Sequence, residues 1–335
     1  MELVNKKNNY DEFLKTRFIS GNFLQSSIWQ DFLDKQKKVF WQVAVIENNQ
    51  TIASCLLYEN KLMMGRSYLY APKGPIISNE LSDQKIKQAL GLILSRARDI
   101  AISTTKKEEI FFKVELEKEN LPELTKCPDV QPRDTWVLDI DKDPKELLGD
   151  MHQKTRYNIA LARRHGVTTR FSKDEKDIKD FLRLIKKTYS RNQITAHSDD
   201  YYKTLFKVLL RHGAGQLCLA EVNKKVIAAN MIIRFGPAVT YLHGASDYKF
   251  RKHMAPQLLQ WETIKQSIEL GYKVYDFWGI APEDDSKPNW AGITRFKKSF
   301  GGRAVTSPGS HNLIYDKNWY KVYQLIGRLR KVIKR

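Results

Sequence analysis

The sequence is poor in cysteine, poor in acidic residues relative to basic ones, and without a long apolar segment. Cys55, Cys127 and Cys218 are the only cysteines among 335 residues, and their spacing matches no zinc motif. So sparse and odd a set does not form a disulfide framework, which indicates a reducing compartment. No apolar run reaches the ~18–20 residues that cross a bilayer, and the first residues lack the apolar core of a signal peptide. These absences predict a cytoplasmic protein.

The shortage of acidic residues gives the chain a strongly positive charge. It contains 57 lysines and arginines against 38 aspartates and glutamates, a formal net charge of +19. Such a field attracts polyanions, so nucleic acid is the first candidate partner, anionic membrane the second and small anionic substrates the third. The alternative is that scattered lysines serve only solubility. The length allows two domains, and 42% hydrophobic residues are ordinary for a globular protein.

Two segments of the chain share one pattern, which indicates an internal repeat. Residues 43–75 alternate short runs of β-branched and aromatic residues with turns, the first of them at Asn48-Asn49. Residues 217–246 repeat this pattern, with their first turn at Asn223-Lys224. Each segment is followed by an amphipathic helix and then by another strand. The sequence therefore predicts an α/β protein built from two similar units with mixed sheets.

Eight short motifs occur in a fixed order along the chain. They are NFLQSSIWQDFL, YAPKGPII, TWVLDI, RYNIALARRHGV, LHGAS, APQLLQWETI, YDFWGI and RFKKSFGG. Any one of them is a weak signal, but their order and spacing together resemble the FemABX family of peptidoglycan-bridge aminoacyltransferases. The chain is similar to the short members of that family, which lack a long helical hairpin in the second domain.

The resemblance implies two tandem acyltransferase domains of the GNAT type. The expected first domain comprises residues 1–142 and a C-terminal segment, 305–335, that returns to it. The expected second domain comprises residues 143–304. It begins with a helix that Asp143 caps, and this helix is predicted to continue towards Gly166, a suitable C-cap residue.

The resemblance also implies a reaction. Members of the family transfer an amino acid from aminoacyl-tRNA to an amine on the stem peptide of a peptidoglycan precursor. The precursor is either lipid II or a UDP-linked muropeptide (UDP-MurNAc-pentapeptide), and the product contains the interpeptide bridge. Ester aminolysis of this kind needs two large substrates held together, a cation or dipole at the oxyanion and a path for a proton. It needs no metal and no cofactor besides the aminoacyl-tRNA co-substrate.

Two residues are the candidates for catalysis. Lys297 occupies the lysine position of the family's Phe-Lys motif, where the resemblance implies contact with the donor end and stabilisation of developing negative charge. The alternative is a solvated lysine on a strand edge, with Lys298 pointing to the other face. Glu115 lies where the family carries an acidic residue, which could orient the attacking amine or accept its proton. The family often has a proline next, whereas this chain has Leu116, and an ordinary salt-bridged glutamate is the alternative.

Six further residues are candidates for substrate binding: Trp29, Lys73, His197, Tyr201, Tyr241 and His243. Trp29 could line an acceptor groove or pack in the core beside Phe32. Lys73 lies in a Pro-Lys-Gly turn that is expected to present its ammonium outward, towards a pyrophosphate, although proline and glycine could merely shape the turn.

The remaining candidates for substrate binding lie on two segments of the second half. His197 and Tyr201 match a region that contacts precursor phosphates in related enzymes, where some relatives carry an arginine near the histidine position. An ordinary surface histidine is the alternative. Tyr241 and His243 are two residues apart, so they are expected on one face of a strand, either lining the cleft or packing there.

Two basic tracts are candidates for contact with tRNA or membrane. Residues 151–173 contain no acid, and Arg156, Arg163 and Arg164 are the candidate phosphate-backbone contacts. The tail after Asp316 is also free of acids, and its apolar residues recur at helical spacing. That pattern is typical of an interfacial helix on anionic lipid, or of a C-terminal helix docked on the first domain.

Two other functions fit parts of the sequence. An acetyl-CoA-dependent N-acetyltransferase would share the fold, but such enzymes bind pyrophosphate on backbone N–H groups at a helix N-terminus. Here Met254 and Pro256 occupy that turn, and proline has no N–H. A non-enzymatic RNA-binding protein would explain the charge, but not the motifs around Lys297.

Overall fold

The computed structural model describes residues 1–4, 10–103, 108–117, 123–192, 196–282 and 288–333. Its helices, in chain order, are α1 (Asp11–Lys15), α2 (Ser27–Lys35), α3 (Asp83–Ser103), α4 (Pro144–Asp150), α5 (Gln153–Arg164), α6 (Ile178–Asn192), α7 (Asp199–Arg211), α8 (Ala255–Glu269), α9 (Pro288–Lys298) and α10 (Lys317–Ile333). Its strands are β1 (Glu2–Val4), β2 (Phe40–Glu47), β3 (Gln50–Lys61), β4 (Ser67–Ala71), β5 (Ile76–Ile77), β6 (Glu109–Leu116), β7 (Thr125–Lys126), β8 (Asp134–Asp139), β9 (Thr168–Ser172), β10 (Gly215–Val222), β11 (Lys225–Phe235), β12 (Ala238–Ser246), β13 (Val274–Gly279), β14 (Arg303–Thr306) and β15 (Gly309–Ile314).

The first compact unit comprises Met1–Leu14, Asn22–Arg133 and Ser307–Arg335. Its sheet has the order β1-β2-β3-β4-β6-β15-β7, and β5 also pairs with β3. Strands β4 and β6 are parallel, since the chain crosses over between them through α3. The apolar face of α3 packs on the sheet through buried side chains such as Ile93 and Leu90. Each such side chain stabilises the fold by about 1.5–3 kcal/mol.

The second compact unit comprises Lys15–Gly21 and Asp134–Thr306. Its sheet has the order β14-β8-β13-β12-β11-β10-β9, with β12 and β13 parallel on either side of the α8 crossover. The meander β10-β11-β12, then α8, then β13 repeats the arrangement β2-β3-β4, α3, β6 of the first unit. The α/β class with two mixed sheets, expected from the internal repeat, is confirmed.

The boundaries between the units differ from the expected ones. Strand β8, which contains the TWVLDI motif, pairs with β13 and β14 in the second sheet. The boundary therefore falls between Arg133 and Asp134, not at residue 142, and the C-terminal return begins at Ser307. A strand pattern does not reveal its partner strand, so the sequence placed β8 in the wrong unit. The returning segment itself is present: β15 pairs with β6, and α10 packs on Ile110 and Phe111.

The helix that was predicted to run from Asp143 to Gly166 is two helices. The Asp143 side chain accepts a hydrogen bond from the backbone N–H of Lys145, as expected for an N-cap. Helix α4 ends at Asp150, and α5 starts after His152, whose ring nitrogen accepts from Lys154 N. Gly166 follows α5 with a φ of 72°, a conformation in which glycine is favoured. Among the helices of the described ranges, none is long and apolar enough to cross a bilayer.

Candidate active site

Lys297 lies in the last turn of α9, a helix, so the strand-edge alternative for this segment is wrong. Two glycines end the helix: Gly301 and Gly302 have φ values of 83° and 96°. A Cβ on Gly302 would lie 2.3 Å from the carbonyl oxygen of Val137, so the β8 backbone requires glycine there. Lys297 is 6% exposed, whereas Lys298 stacks over the ring of Trp136. The two glycines of the motif thus end α9 against β8 and so set the position of the buried Lys297.

The Lys297 ammonium is held by a carbonyl and an aromatic ring. Its Nζ donates a 2.5 Å hydrogen bond to the carbonyl oxygen of Gly279 and lies 5.8 Å from the ring centroid of Tyr241. Burial lowers the pKa of Lys297 from 10.5 to about 7, while the negative charge of Asp276 acts in the opposite direction. A lysine with a pKa near neutral pH is available both as a cation and as a proton carrier.

Asp276 organises the strand end that faces Lys297. Its fully buried carboxylate accepts hydrogen bonds from Ser20 Oγ at 2.6 Å and from Trp278 N at 2.7 Å. Trp278 has a φ of 65°, which is uncommon for any residue except glycine, and it lies just before Gly279, whose carbonyl meets Lys297. Sequence reasoning missed Asp276 and Ser20. The signal was an acid inside the aromatic strand YDFWGI, since a buried carboxylate needs hydrogen-bond partners.

Tyr241 and His243 lie on opposite faces of β12, so the expectation of a shared face is wrong. Tyr241 pairs with Ile232 and His243 with Met231, because a bulge at Leu242 inserts one extra residue. Tyr241 packs with the α8 side of the sheet and faces Lys297, and burial raises its pKa, so its phenol stays neutral.

The LHGAS glycine accommodates the tyrosine ring. A Cβ on Gly244 would lie 1.7 Å from the hydroxyl oxygen of Tyr241. The bulge and this glycine together let the Tyr241 ring lie beside Lys297.

His243 belongs to an aromatic cluster with α7. Its ring centroid lies 5.1 Å from that of Tyr202 and 6.2 Å from those of both His197 and Tyr201. His197 and Tyr201 stack at 3.9 Å with 14° between their planes. Burial, and then the neighbouring His197, lower the pKa of His243 from 6.5 to about 3, and burial also lowers the pKa of His197. The structure therefore brings three predicted substrate residues together as neutral aromatic rings, and contact with phosphates stays a prediction.

Glu115 lies in the first unit, at the end of β6, with a fully occupied carboxylate. Its two oxygens accept from Tyr70 Oη at 3.0 Å, Lys73 N at 3.0 Å, Gln131 N at 3.0 Å and Ser310 Oγ at 2.9 Å. The side chain is 5% exposed. These contacts tie β4, the Pro-Lys-Gly turn and β15 to β6, which favours a positioning role. Its role towards the attacking amine stays a prediction.

The Lys73 ammonium points inward, which corrects the expectation of an outward one. Its Nζ donates to the carbonyl oxygen of Pro132 at 2.5 Å, and the residue is 7% exposed. Gln25 stabilises the turn, because its side-chain amide donates hydrogen bonds to Pro72 O and Leu56 O. The NFLQSSIWQDFL and YAPKGPII motifs therefore contact each other in the interior of the first unit. The Lys73 ammonium there is bound by a protein carbonyl.

Trp29 packs in the core of the first unit, as its alternative reading proposed. Its ring lies 4.7 Å from that of Phe32 and 6.1 Å from that of Phe23, and the residue is 7% exposed. Its Nε1 is buried and has no hydrogen-bond partner among the residues that the structure describes. A role in an acceptor groove stays a prediction.

The three arginines predicted for tRNA lie on α5 but differ in their surroundings. Arg156 donates to the carbonyls of Gly149 and Met151 and so joins α5 to the end of α4. Arg163 forms a 2.7 Å ion pair with Glu262 of α8. Arg164 is exposed and lies over the ring of Tyr157. Two of the three are thus already paired with protein groups, and contact with RNA stays a prediction for all three.

Comparisons with known proteins show which family this chain belongs to and which folds it resembles. The model of the FemAB family matches residues 6–91, 123–226 and 221–328. The lipid II:glycine glycyltransferase of Staphylococcus aureus (strain COL) is 23% identical over 417 aligned positions, covering 98% of this chain and 95% of that protein. The alignment is longer than this chain, so the relative contains insertions that this chain lacks.

Two solved structures share the fold. A crystal structure of FemX superposes with a TM-score of 0.81 at 19% identity, covering 96% of this chain and 99% of that one. A tandem GNAT protein from the clavulanic acid pathway gives a TM-score of 0.51 at 12% identity over 82% of each chain.

The fold is thus two GNAT-like units in tandem, and a buried lysine on α9 of the second unit meets the end of β13. The chain belongs to the FemAB family.

Proposed function

We propose that the chain uses aminoacyl-tRNA to add an amino acid to the stem-peptide amine of a peptidoglycan precursor, either lipid II or UDP-linked. Membership of the FemAB family and relatives named as glycyltransferases support aminoacyl transfer in peptidoglycan bridge formation. The observation that carries the residue assignment is the burial of Lys297, whose ammonium is held by the Gly279 carbonyl. The motif resemblance gives this residue the place of the family's lysine.

The proposed reaction is aminolysis of the ester that joins the amino acid to the tRNA ribose. The acceptor amine forms a bond to the carbonyl carbon, and negative charge develops on the carbonyl oxygen. The Lys297 ammonium stabilises this oxyanion, since a cation in a site shielded from water acts strongly on developing charge. The bond to the ribose oxygen then breaks, and the proton lost by the amine passes to that oxygen. No cofactor is part of this proposal.

The surroundings of Lys297 fit this task. Its ammonium is positioned by the Gly279 carbonyl and the Tyr241 ring, both on the second unit. Burial makes the charged form of Lys297 costly. The oxyanion of the transition state pairs with this charge and the neutral ester does not, so the transition state is stabilised more than the ester. This difference between the two states is what accelerates the reaction.

The partners proposed are aminoacyl-tRNA, the peptidoglycan precursor and the inner face of an anionic membrane. Exposed cations on α5 and the basic face of α10 would contact phosphate groups without reading sequence. The protein would work in the cytoplasm, where charged tRNA is made.

The competing donor, acetyl-CoA, is disfavoured by the N-terminus of α8. Met254, in the left-handed conformation with a φ of 52°, caps this helix without a side-chain hydrogen bond. Pro256 is in its first turn and removes an N–H that a pyrophosphate would use.

The direct test incubates the protein with a pool of charged tRNAs and with both precursors, and weighs the products. An added amino-acid residue on either precursor supports the proposal. No mass change on either precursor with any charged tRNA would overturn it. A Lys297→Ala variant that folds, binds tRNA and fails to transfer supports an enzyme, whereas loss of tRNA binding in that variant supports a non-enzymatic RNA-binding protein.

A further inference from the structure

A cavity of about 670 Å³ opens in the first unit beside α10, and none of the catalytic, substrate-binding or tRNA-binding candidates above is among its lining residues. Its walls are α10, β6, the 127–130 segment and the turn between β3 and β4. Aromatic side chains line one side: Trp319, Tyr320 and Tyr323. The volume is in the range of small-molecule sites, about 300–1,000 Å³.

The inner wall of this cavity carries buried polar groups. Lys113 is 4% exposed, and its ammonium donates to Cys127 Sγ and to the Pro128 carbonyl oxygen, each at 3.1 Å. An ammonium has three N–H donors, so one remains for a ligand. Asn312 is 1% exposed, and its Oδ1 has no hydrogen-bond partner within the described ranges. The Lys113 ammonium can therefore bind an anion, and Asn312 Oδ1 can accept a hydrogen bond from a hydroxyl group.

The rim of the cavity is cationic. Lys61, Arg66 and Arg328 line it, and the guanidinium of Arg66 lies 4.3 Å from the ring centroid of Trp319. Asp129 also lines the cavity, but its Oδ1 is engaged by the backbone N–H of Ser310 at 2.6 Å. The lining therefore favours a negatively charged ligand.

Exposed apolar side chains flank the same opening. Met63 and Met64, on the β3–β4 turn, are 59% and 74% exposed. On α10, Val322, Leu325 and Leu329 form one exposed stripe at helical spacing. Met64 has a φ of 60°, a conformation in which asparagine or glycine is the usual residue. An apolar side chain is thus presented to solvent at a position where the backbone favours a small polar one.

We propose that this cavity binds the headgroup of an anionic glycerophospholipid while the flanking methionines and leucines insert into the membrane surface. The phosphate would meet Lys113 and the rim cations, and a headgroup hydroxyl would donate to Asn312 Oδ1. The acyl chains stay in the bilayer, where the exposed apolar residues of the turn and α10 join them. The inference extends the proposed membrane contact of α10 by adding a headgroup site and a second inserted element.

Binding of the full chain to vesicles tests the proposal. The wild type should co-sediment with vesicles of phosphatidylglycerol and phosphatidylcholine, and much less with phosphatidylcholine alone. Met64→Asn removes the apolar tip and suits the backbone at that position, so it should weaken binding at least about fivefold without loss of fold. Lys61→Gln and Arg328→Gln should each weaken it about fivefold, the effect of one cation near an anionic surface.

The matched controls are Ile102→Asn, which removes another exposed apolar side chain at the end of α3, 59% exposed, and Lys145→Gln in the second unit. Both should bind as the wild type does. Lys113→Met keeps the volume of a buried side chain, so it should fold and lose the preference for phosphatidylglycerol.

A label on Met64→Cys gives an independent readout, because all three native cysteines are buried. An environment-sensitive dye at this position should shift to the blue on anionic vesicles, and a dye on Ile102→Cys should not.

Unchanged binding of Met64→Asn and Lys113→Met, with loss of binding in Leu325→Gln, would overturn the headgroup site and leave the α10 contact standing. Amino-acid transfer to the UDP-linked precursor by the same variants is measured without vesicles. This assay tests the proposed reaction independently of membrane binding.

Discussion

Lys297, at the end of α9, and Gly279, at the end of β13, are joined by a 2.5 Å hydrogen bond from ammonium to carbonyl oxygen. This contact places a cation that is 6% exposed beside a fully buried carboxylate, Asp276, and an aromatic ring, Tyr241. A buried lysine of this kind lowers the free energy of unfolding when it is charged. Negative charge that develops beside it in the transition state offsets this cost. The titration of Lys297 therefore gives a prediction about stability as well as about catalysis.

The first prediction concerns stability against pH. The pKa of Lys297 is about 7 in the folded state and near 10.5 in the unfolded state. The folded state binds fewer protons between these values, so this lysine makes stability rise with pH from about 7 to 10.5 and fall as pH drops. Lys297→Met should be more stable than the wild type at pH 7, and this advantage should shrink by about 2 kcal/mol at pH 9.

Urea unfolding of both proteins at the two pH values measures that difference, with Lys298→Met as the control for loss of a neighbouring charge. A constant difference between Lys297→Met and the wild type would show that Lys297 does not titrate in this range.

The second prediction concerns Glu115. Four donors converge on its carboxylate, so Glu115→Gln should leave buried donors facing an amide and cost about 2–4 kcal/mol of unfolding free energy. Glu80→Gln, at an exposed position of the same unit, should change stability by less than about 0.5 kcal/mol. Chemical denaturation compares the two. Equally small changes in the free energy of unfolding for Glu115→Gln and Glu80→Gln would show that Glu115 has no positioning role.

The third prediction concerns the glycine of the Pro-Lys-Gly turn. A Cβ on Gly74 would lie 2.5 Å from the side-chain amide of Gln25, which three hydrogen bonds hold in place. Gly74→Ala should therefore destabilise the protein by about 1–3 kcal/mol. Gly91→Ala, within α3 and with nothing in reach of its Cβ, should stabilise it by about 0.5–1 kcal/mol.

A double-mutant cycle checks the cause of that effect. In a Gln25→Ala background, Gly74→Ala should lose most of its own cost, because the atoms that it meets are gone. An unchanged cost in that background would place the strain elsewhere.

The fourth prediction concerns His243. Its pKa of about 3 keeps its ring neutral, and the folded state resists its protonation, so this histidine lowers stability only as pH falls from about 6.5 towards 3. In proton–nitrogen correlation spectra of the histidine rings, the His243 signals should not move between pH 5 and 8. His243→Gln identifies those signals. A midpoint near 6.5 for them would contradict the buried aromatic cluster.

The sequence predicted the parts of the fold that depend on local pattern. Alternation and turn residues predicted both meanders. The ordered motifs selected Lys297 and Glu115 as catalytic candidates, a role that stays a prediction. It missed what depends on contacts between distant residues. The pairing of β8 with β13, the bulge at Leu242 that separates Tyr241 from His243, and the brace from Gln25 to the Lys73 turn all arise from tertiary packing. A strand pattern carries no information about its neighbour, and a single inserted residue reverses the face of every side chain after it.

The proposed role of Lys297 is tested most directly by single-turnover transfer from aminoacyl-tRNA to the precursor by Lys297→Met, with tRNA affinity measured in parallel. Removal of one group that stabilises an oxyanion costs about 10²–10³ in rate. We expect a loss of this size, with tRNA affinity within about threefold of wild type and Lys298→Met transferring normally. Transfer by Lys297→Met at the wild-type rate would contradict it.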